Sequence, residues 1–142
     1  MNGAANSMAE KTVGAVMTTD PVTLQLNDTL RLADDMMNLA HVRHFPVLDG
    51  EKLVGVINQD DLLHASMASL VRHPKENVRE ALGAVAIKDF MKAAITIPRE
   101  TSIYDAASMM VDRAIECLLV VDGDKLIGLV TRSDLLRELA KR

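Results

Sequence analysis

Apolar positions along this chain fall into two kinds of rhythm. From Leu30 they recur at Ala33, Met36, Met37 and Ala40, the spacing that places one stripe on a helix, and Asp28 stands where an N-cap would be. Ahead of this stripe, Val22-Thr23-Leu24 reads as a short extended piece. Behind it, Phe45-Pro46-Val47-Leu48 and Leu53-Val54-Gly55-Val56-Ile57 read as strands joined by an Asp49-Gly50 turn. A helix from about Asp60 closes the unit, giving the order β-α-β-β-α.

The same order recurs about 73 residues later. Ile95-Thr96-Ile97 repeats the extended piece, and Ile103, Ala106, Met109 and Met110 repeat the helical stripe with Thr101 as its expected cap. Leu118-Leu119-Val120-Val121, Asp122-Gly123 and Leu126-Ile127-Gly128 repeat the hairpin in register, down to the Asp-Gly turn and the glycine that follows it. Relative to Met17 and Val22, one residue is missing between Met91 and Ile95, a slip that a loop absorbs. The segment between the copies extends the second helix through Met67, Leu70 and Val71 until His73-Pro74, where proline stops it. A short helix at Val78, Leu82 and Val85 then leads back.

The expected organisation is a flexible lead-in at 1–12, a first repeat at 13–66, a helical linker at 67–86 and a second repeat at 87–142. A unit of some 50 residues buries little surface alone, so the two copies are expected to pack about a pseudo-twofold axis in an α+β fold with two related clefts.

Composition narrows the functional classes. Hydrophobic residues make up 49% of the 142, enough for a core, but aromatics are only 2%, so that core is built of aliphatic residues and the nine methionines. A net charge of −4 with so few stacking groups argues against a nucleic-acid surface. No apolar run reaches the roughly 18 residues of a membrane span, and the first ten residues lack the apolar core of a signal peptide, so a cytoplasmic protein without membrane contact is expected. Cys117, the single cysteine, reads as a small buried hydrophobe. His41, His64 and His73 meet no ligand-spaced carboxylate or thiol, so no metal site is expected. No nucleophile is paired with a base and an orienting group, so no catalytic residue and no enzyme activity are expected.

The chemistry concentrates at Gly128-Leu129-Val130-Thr131-Arg132-Ser133-Asp134-Leu135-Leu136, a strand running into a helix, with a weaker copy at Gly55 to Leu63. The first amides of a helix lack internal partners and carry partial positive charge, so such a junction can hold an anion. Thr131-x-x-Asp134 and Asn58-x-x-Asp61 equally match a capping box, and the two readings share the same residues. Gly55 and Gly128 also have a plain packing reading, the close approach of another segment.

The series Arg43-His44-Phe45-Pro46-Val47, Asp49-Gly50, Leu53 to Ile57 and Asp61-Leu62-Leu63, repeated through Gly128 to Leu136, resembles a tandem pair of CBS domains, a Bateman module of the stand-alone type. The resemblance covers nearly everything from Val13 to Glu138. It implies a regulatory unit that binds an adenosine-containing ligand such as AMP, ADP, ATP or S-adenosylmethionine in the cleft between repeats, requires no other cofactor, and signals through a homodimer or an effector protein.

The resemblance also assigns residues. In the stronger site Thr131 and Arg132 would face phosphate, Asp134 would accept from the ribose hydroxyls, and Ile95, Thr96, Leu118 and Leu119 would hold adenine. In the weaker site Asn58 replaces the hydroxyl residue while Asp61 keeps the ribose position, with Val22, Thr23, Arg43, His44, Phe45 and Pro46 completing it. The alternative is a structural interaction module whose sites bind no nucleotide.

Overall fold

A computed structural model describes residues 11–75 and 77–141. Most of the expected lead-in lies outside the described residues. Its last two members are held: the Ile103 amide donates to the Lys11 carbonyl at 2.9 Å, and Thr12 forms a β-bridge with Ser102.

The described residues divide into two compact units, each mixed α and β. The continuous unit, Val22–Ala94, contains β2 (Leu24–Gln25), α1 (Leu30–Ala40), β3 (His44–Asp49), β4 (Lys52–Asn58), α2 (Gln59–Arg72), α3 (Val78–Leu82) and a 3-10 turn at Ile87–Asp89. The discontinuous unit joins the described part of Met1–Pro21 to Ile95–Arg142. It holds a 3-10 turn at Val13–Ala15, β1 (Thr18–Thr19), β5 (Thr96–Pro98), α4 (Ile103–Arg113), β6 (Cys117–Asp122), β7 (Lys125–Thr131) and α5 (Arg132–Ala140).

Both sheets are built alike. β2 runs parallel to β3 with Leu24 opposite Val47, and β3 runs antiparallel to β4 from His44–Asn58 to Asp49–Lys52. In the other unit β5 runs parallel to β6 with Thr96 opposite Leu119, and β6 runs antiparallel to β7 from Cys117–Thr131 to Asp122–Lys125. Gly50 and Gly123 take φ of 63° and 62° in the two hairpin turns, a region where a side chain is strained, which is why each turn carries glycine there.

The cores match position by position. Leu30, Ala33, Met37, Phe45, Val47, Ile57 and Leu62 fill one; Ile103, Ala106, Met110, Leu118, Val120, Val130 and Leu135 fill the other. Each is completed by a residue from a 3-10 turn, Ile87 in the first and Val13 in the second.

These turns depart from the linear order of the repeats. The opening segment of the first sequence repeat packs on the sheet of the second, where Thr18 pairs with Leu129. The opening segment of the second repeat packs on the sheet of the first, where Val56 and Lys92 exchange two hydrogen bonds of 2.9 Å. Compact units and sequence repeats are therefore cut at different places. Gly55 and Gly128 sit where these segments cross. A Cβ at Gly55 would lie 2.7 Å from the Lys92 carbonyl oxygen, and one at Gly128 would lie 3.0 Å from that of Thr18 and closer still to Met17 Sδ. Close approach is thus the physical reason for both glycines.

The helix caps correct the sequence expectation by one residue in both copies. Thr29, not Asp28, caps α1 by accepting from the Leu32 amide at 3.2 Å, and Ser102, not Thr101, caps α4 by accepting from Asp105 at 3.0 Å. Asp28 instead accepts from the Gln25 amide at 2.8 Å through its carboxylate. The carbonyls of Asp28 and Thr101 are taken by the 3-10 turns, through Ile87 and Val13 amides at 2.8 Å each. α2 ends at Arg72 with His73 as its C-cap, as the following proline requires.

Candidate functional site

In the discontinuous unit β7 ends at Thr131, whose extended backbone makes it the N-cap of α5. Thr131 Oγ1 accepts from the Asp134 amide at 3.3 Å, and Asp134 Oδ2 accepts from the Thr131 amide at 2.8 Å, a complete capping box. The other carboxylate oxygen, Oδ1, pairs with Arg137 one helical turn on. That guanidinium is exposed, so its grip on Oδ1 is weak and open to competition.

Arg132 has two ties to Glu116. Its amide donates to the Glu116 carbonyl at 2.9 Å and its guanidinium to the Glu116 carboxylate at 2.9 Å. Both side chains are exposed, so an arriving anion can draw Arg132 away at little cost. Cys117 lies opposite Thr131 in the β-ladder. Burial, aided by the charge of Asp134, pushes its thiol up to about 12, which leaves it protonated and inert at neutral pH.

The residues expected around adenine divide by strand face. Leu118 is fully buried within the core of its unit. Leu119 points to the opposite sheet face and is 1% exposed. Its amide donates to the Ile95 carbonyl at 2.9 Å, and Thr96, its neighbour across the parallel pair, is exposed. Thr131, Arg132 and Asp134 therefore converge at the junction, while Ile95, Thr96 and Leu119 gather on the adjoining strands of the same sheet.

The continuous unit repeats the arrangement with one exchange. Asn58 caps α2 through its Oδ1, accepting from the Asp61 amide at 2.9 Å, and Asp61 Oδ2 accepts from the Asn58 amide at 2.9 Å. Asp61 is only 6% exposed, and its Oδ1 lies 3.2 Å from Lys92 Nζ. The cation facing the aspartate thus comes from the edge segment here and from the helix itself in the other unit. The Gln59 amide donates to the Arg43 carbonyl at 3.1 Å, as Arg132 does to Glu116. His44 stands opposite Asn58 in the ladder. Phe45 and Pro46 are buried, Phe45 in the core, while Arg43 and Val22 are exposed and Thr23 is half-buried just before β2.

Sequence reasoning missed Lys92 and Arg137. Arg137 was readable as a partner three residues from Asp134 on one helix face. Lys92 stands 31 residues from Asp61, and only the edge crossing brings them together. Among the described residues no group of three His, Cys, Asp or Glu side chains could hold a metal ion, and no helix is long and apolar enough to cross a membrane.

A family model for the CBS domain matches residues 13–68 and 87–141. A CBS domain-containing protein of Dictyostelium discoideum is 32% identical over 91% of this chain and 91% of its own length. An uncharacterized protein of Methanocaldococcus jannaschii is 30% identical over 88% of this chain, which spans only 38% of that protein. Among solved structures, a Vibrio cholerae protein proposed to serve acetoin utilization aligns with a TM-score of 0.80 and 28% identity, covering 93% of both chains. The structure of CBSX2 in complex with AMP aligns with a TM-score of 0.74 and 26% identity, covering 92% of this chain and 97% of that one.

Proposed function

The chain belongs to the CBS domain family, with two CBS repeats forming a regulatory module, and from that premise we propose that it senses an adenosine-containing nucleotide at its strand-to-helix junctions. The observation that carries this reading is the Asp134 carboxylate. Its inner oxygen is fixed by the capping box, and among the described residues its outer oxygen is held only by an exposed arginine. A ribose diol donates two hydrogen bonds and can take the place of that guanidinium. Thr131, Arg132 and the adjoining helix amides then face the phosphate, with Arg132 released from Glu116. The base lies along Ile95, Thr96 and Leu119, with Leu118 supplying backbone only.

Asp61 and Asn58 form the corresponding site in the other unit, with Lys92 in place of Arg137. An ammonium is a compact charge and a guanidinium a planar fork, so the two sites differ in ligand preference. The AMP bound by a 26% identical relative of the same fold supports the nucleotide class.

Output passes through a homodimer or an effector protein. Val111, Leu136 and Leu139 on α4 and α5 are exposed beside an apolar groove of about 490 Å³. Leu39, Met67 and Val71 are exposed on α1 and α2. Such faces suit a second copy of the chain. Coupling of roughly 5- to 150-fold between ligand and partner affinity is the usual range. Isothermal titration with AMP, ADP, ATP and S-adenosylmethionine tests the reading, with stoichiometry deciding whether one site or two is competent. Saturable binding that weakens in Asp134→Asn supports it. Absence of binding by all four ligands, with a folded chain, supports the alternative of an interaction module.

A further inference from the structure

The continuous unit contains a second cavity of about 480 Å³, away from the strand-to-helix junction. It lies between the last turn of α2, the short α3 and the 3-10 turn at Ile87–Asp89, and so is built from the linker and the first residues of the second sequence repeat. α3 has no counterpart in the other unit among the described residues.

Its walls carry opposite charges. Arg72 and, beside it, His73 stand on the α2 side, and Asp89 on the 3-10 side. Neither Arg72 nor Asp89 forms an ion pair with another described residue. Ser69 also lines the cavity. It is 7% exposed, and its hydroxyl makes no hydrogen bond with a described residue. The remaining wall is apolar, with Ala81, Val85 and Phe90. The volume is in the range of small-molecule sites, which combine an apolar lining with a few convergent polar groups.

We propose that this cavity binds a small zwitterion, an α-amino acid with an apolar side chain. Its carboxylate pairs with the Arg72 guanidinium, which presents a planar fork to two oxygens. Its ammonium pairs with the Asp89 carboxylate on the opposite wall. The Ser69 hydroxyl donates to the carboxylate, and the side chain lies against Val85 and Phe90. The site stands independently of the nucleotide reading, because it shares no residue with either junction.

The test is thermal denaturation of the full chain with each L-amino acid at up to about 10 mM, a concentration that detects even millimolar affinity. A subset with apolar side chains is expected to raise Tm saturably, by about 4 °C at ten times Kd. The matching amino-acid amide and N-acetyl amino acid, each lacking one charge, are expected to give no shift. Arg72→Met and Asp89→Asn are exposed changes that leave the fold intact, and each is expected to weaken binding at least tenfold, while Asp134→Asn leaves it unchanged. Failure of every amino acid to shift Tm, or a shift that persists in both Arg72→Met and Asp89→Asn, overturns the proposal.

Discussion

Replacing Asp134 by asparagine separates what this residue does for the fold from what it does for a ligand. In the native chain one carboxylate oxygen accepts from the Thr131 amide at 2.8 Å and the other pairs with Arg137. Asparagine keeps an oxygen for the Thr131 amide, so the reciprocal cap survives. What is lost is the pair with an exposed arginine, worth at most about 1 kcal/mol, and the favourable charge at the helix start, worth about 0.3–1 kcal/mol. Asp134→Asn should therefore lower stability by about 1 kcal/mol or less. Alanine removes the cap as well and should cost about 1–2 kcal/mol.

Ligand binding should respond in the opposite proportion. A ribose diol donates, and the second terminal atom of asparagine is an NH2 group that donates too. A hydrogen bond to a charged acceptor is replaced at best by one in which a ribose hydroxyl turns to accept from the neutral NH2 group, at a cost of roughly 1.5–3 kcal/mol, or about ten- to a hundredfold in Kd. Urea unfolding followed by circular dichroism gives the first quantity, and titration calorimetry with AMP gives the second. A variant that binds AMP as tightly as the wild type would refute the ribose role of Asp134. A loss of binding accompanied by several kcal/mol of destabilisation would show that the residue acts through the fold alone.

Four further outcomes follow from the geometry. Gly55→Ala places a Cβ 2.7 Å from the Lys92 carbonyl oxygen and should cost about 1–3 kcal/mol by chemical denaturation, with faster amide exchange at Val56 and Lys92; a neutral variant would mean that the edge segment does not cross there. Ala114 closes α4 at a φ of 53°, so Ala114→Gly should leave stability unchanged or raise it by up to about 1 kcal/mol, and a clear loss would contradict the left-handed cap. Cys117, with its thiol pushed up to about 12, should react with a thiol-disulfide reagent at pH 8 on the order of a hundredfold or more slowly in the folded than in the urea-unfolded chain. Lys11, then Lys141, holds the Glu138 carboxyl below its ordinary 4.5, so the stability this pairing adds is present above that pH and is lost as pH falls through the lowered value; amide exchange at Ile103, which donates to the Lys11 carbonyl, should quicken over that window at low salt and show no such step at 1 M salt.

Much of the fold was legible because its signals are local and occur twice. The stripe from Leu30 to Met37 and its copy from Ile103 to Met110 bury the same positions, and each Asp-Gly turn requires a left-handed glycine. Two motif readings also hold together. Thr131 and Asp134 form the capping box that their spacing suggested, and the same geometry leaves one carboxylate oxygen facing a displaceable cation.

The exceptions share a physical cause. Asp28 and Thr29, like Thr101 and Ser102, are adjacent residues that can each cap a helix. The choice fell to the second of each pair because a distant 3-10 turn binds the carbonyl of the first. Lys92 reaches Asp61 for a similar reason, carried there by an edge crossing that no periodicity records.

By itself, then, the sequence determined the β-α-β-β-α order, its repetition, the core positions and the motif at each strand-to-helix junction, because hydrophobic spacing, turn chemistry and capping act within a few residues. Tertiary structure alone decided which segment completes which sheet, why Gly55 and Gly128 must lack a side chain, and that Lys92 meets Asp61. Those outcomes depend on backbone groups brought together across tens of residues, where an unpaired sheet edge accepts whichever segment the fold delivers.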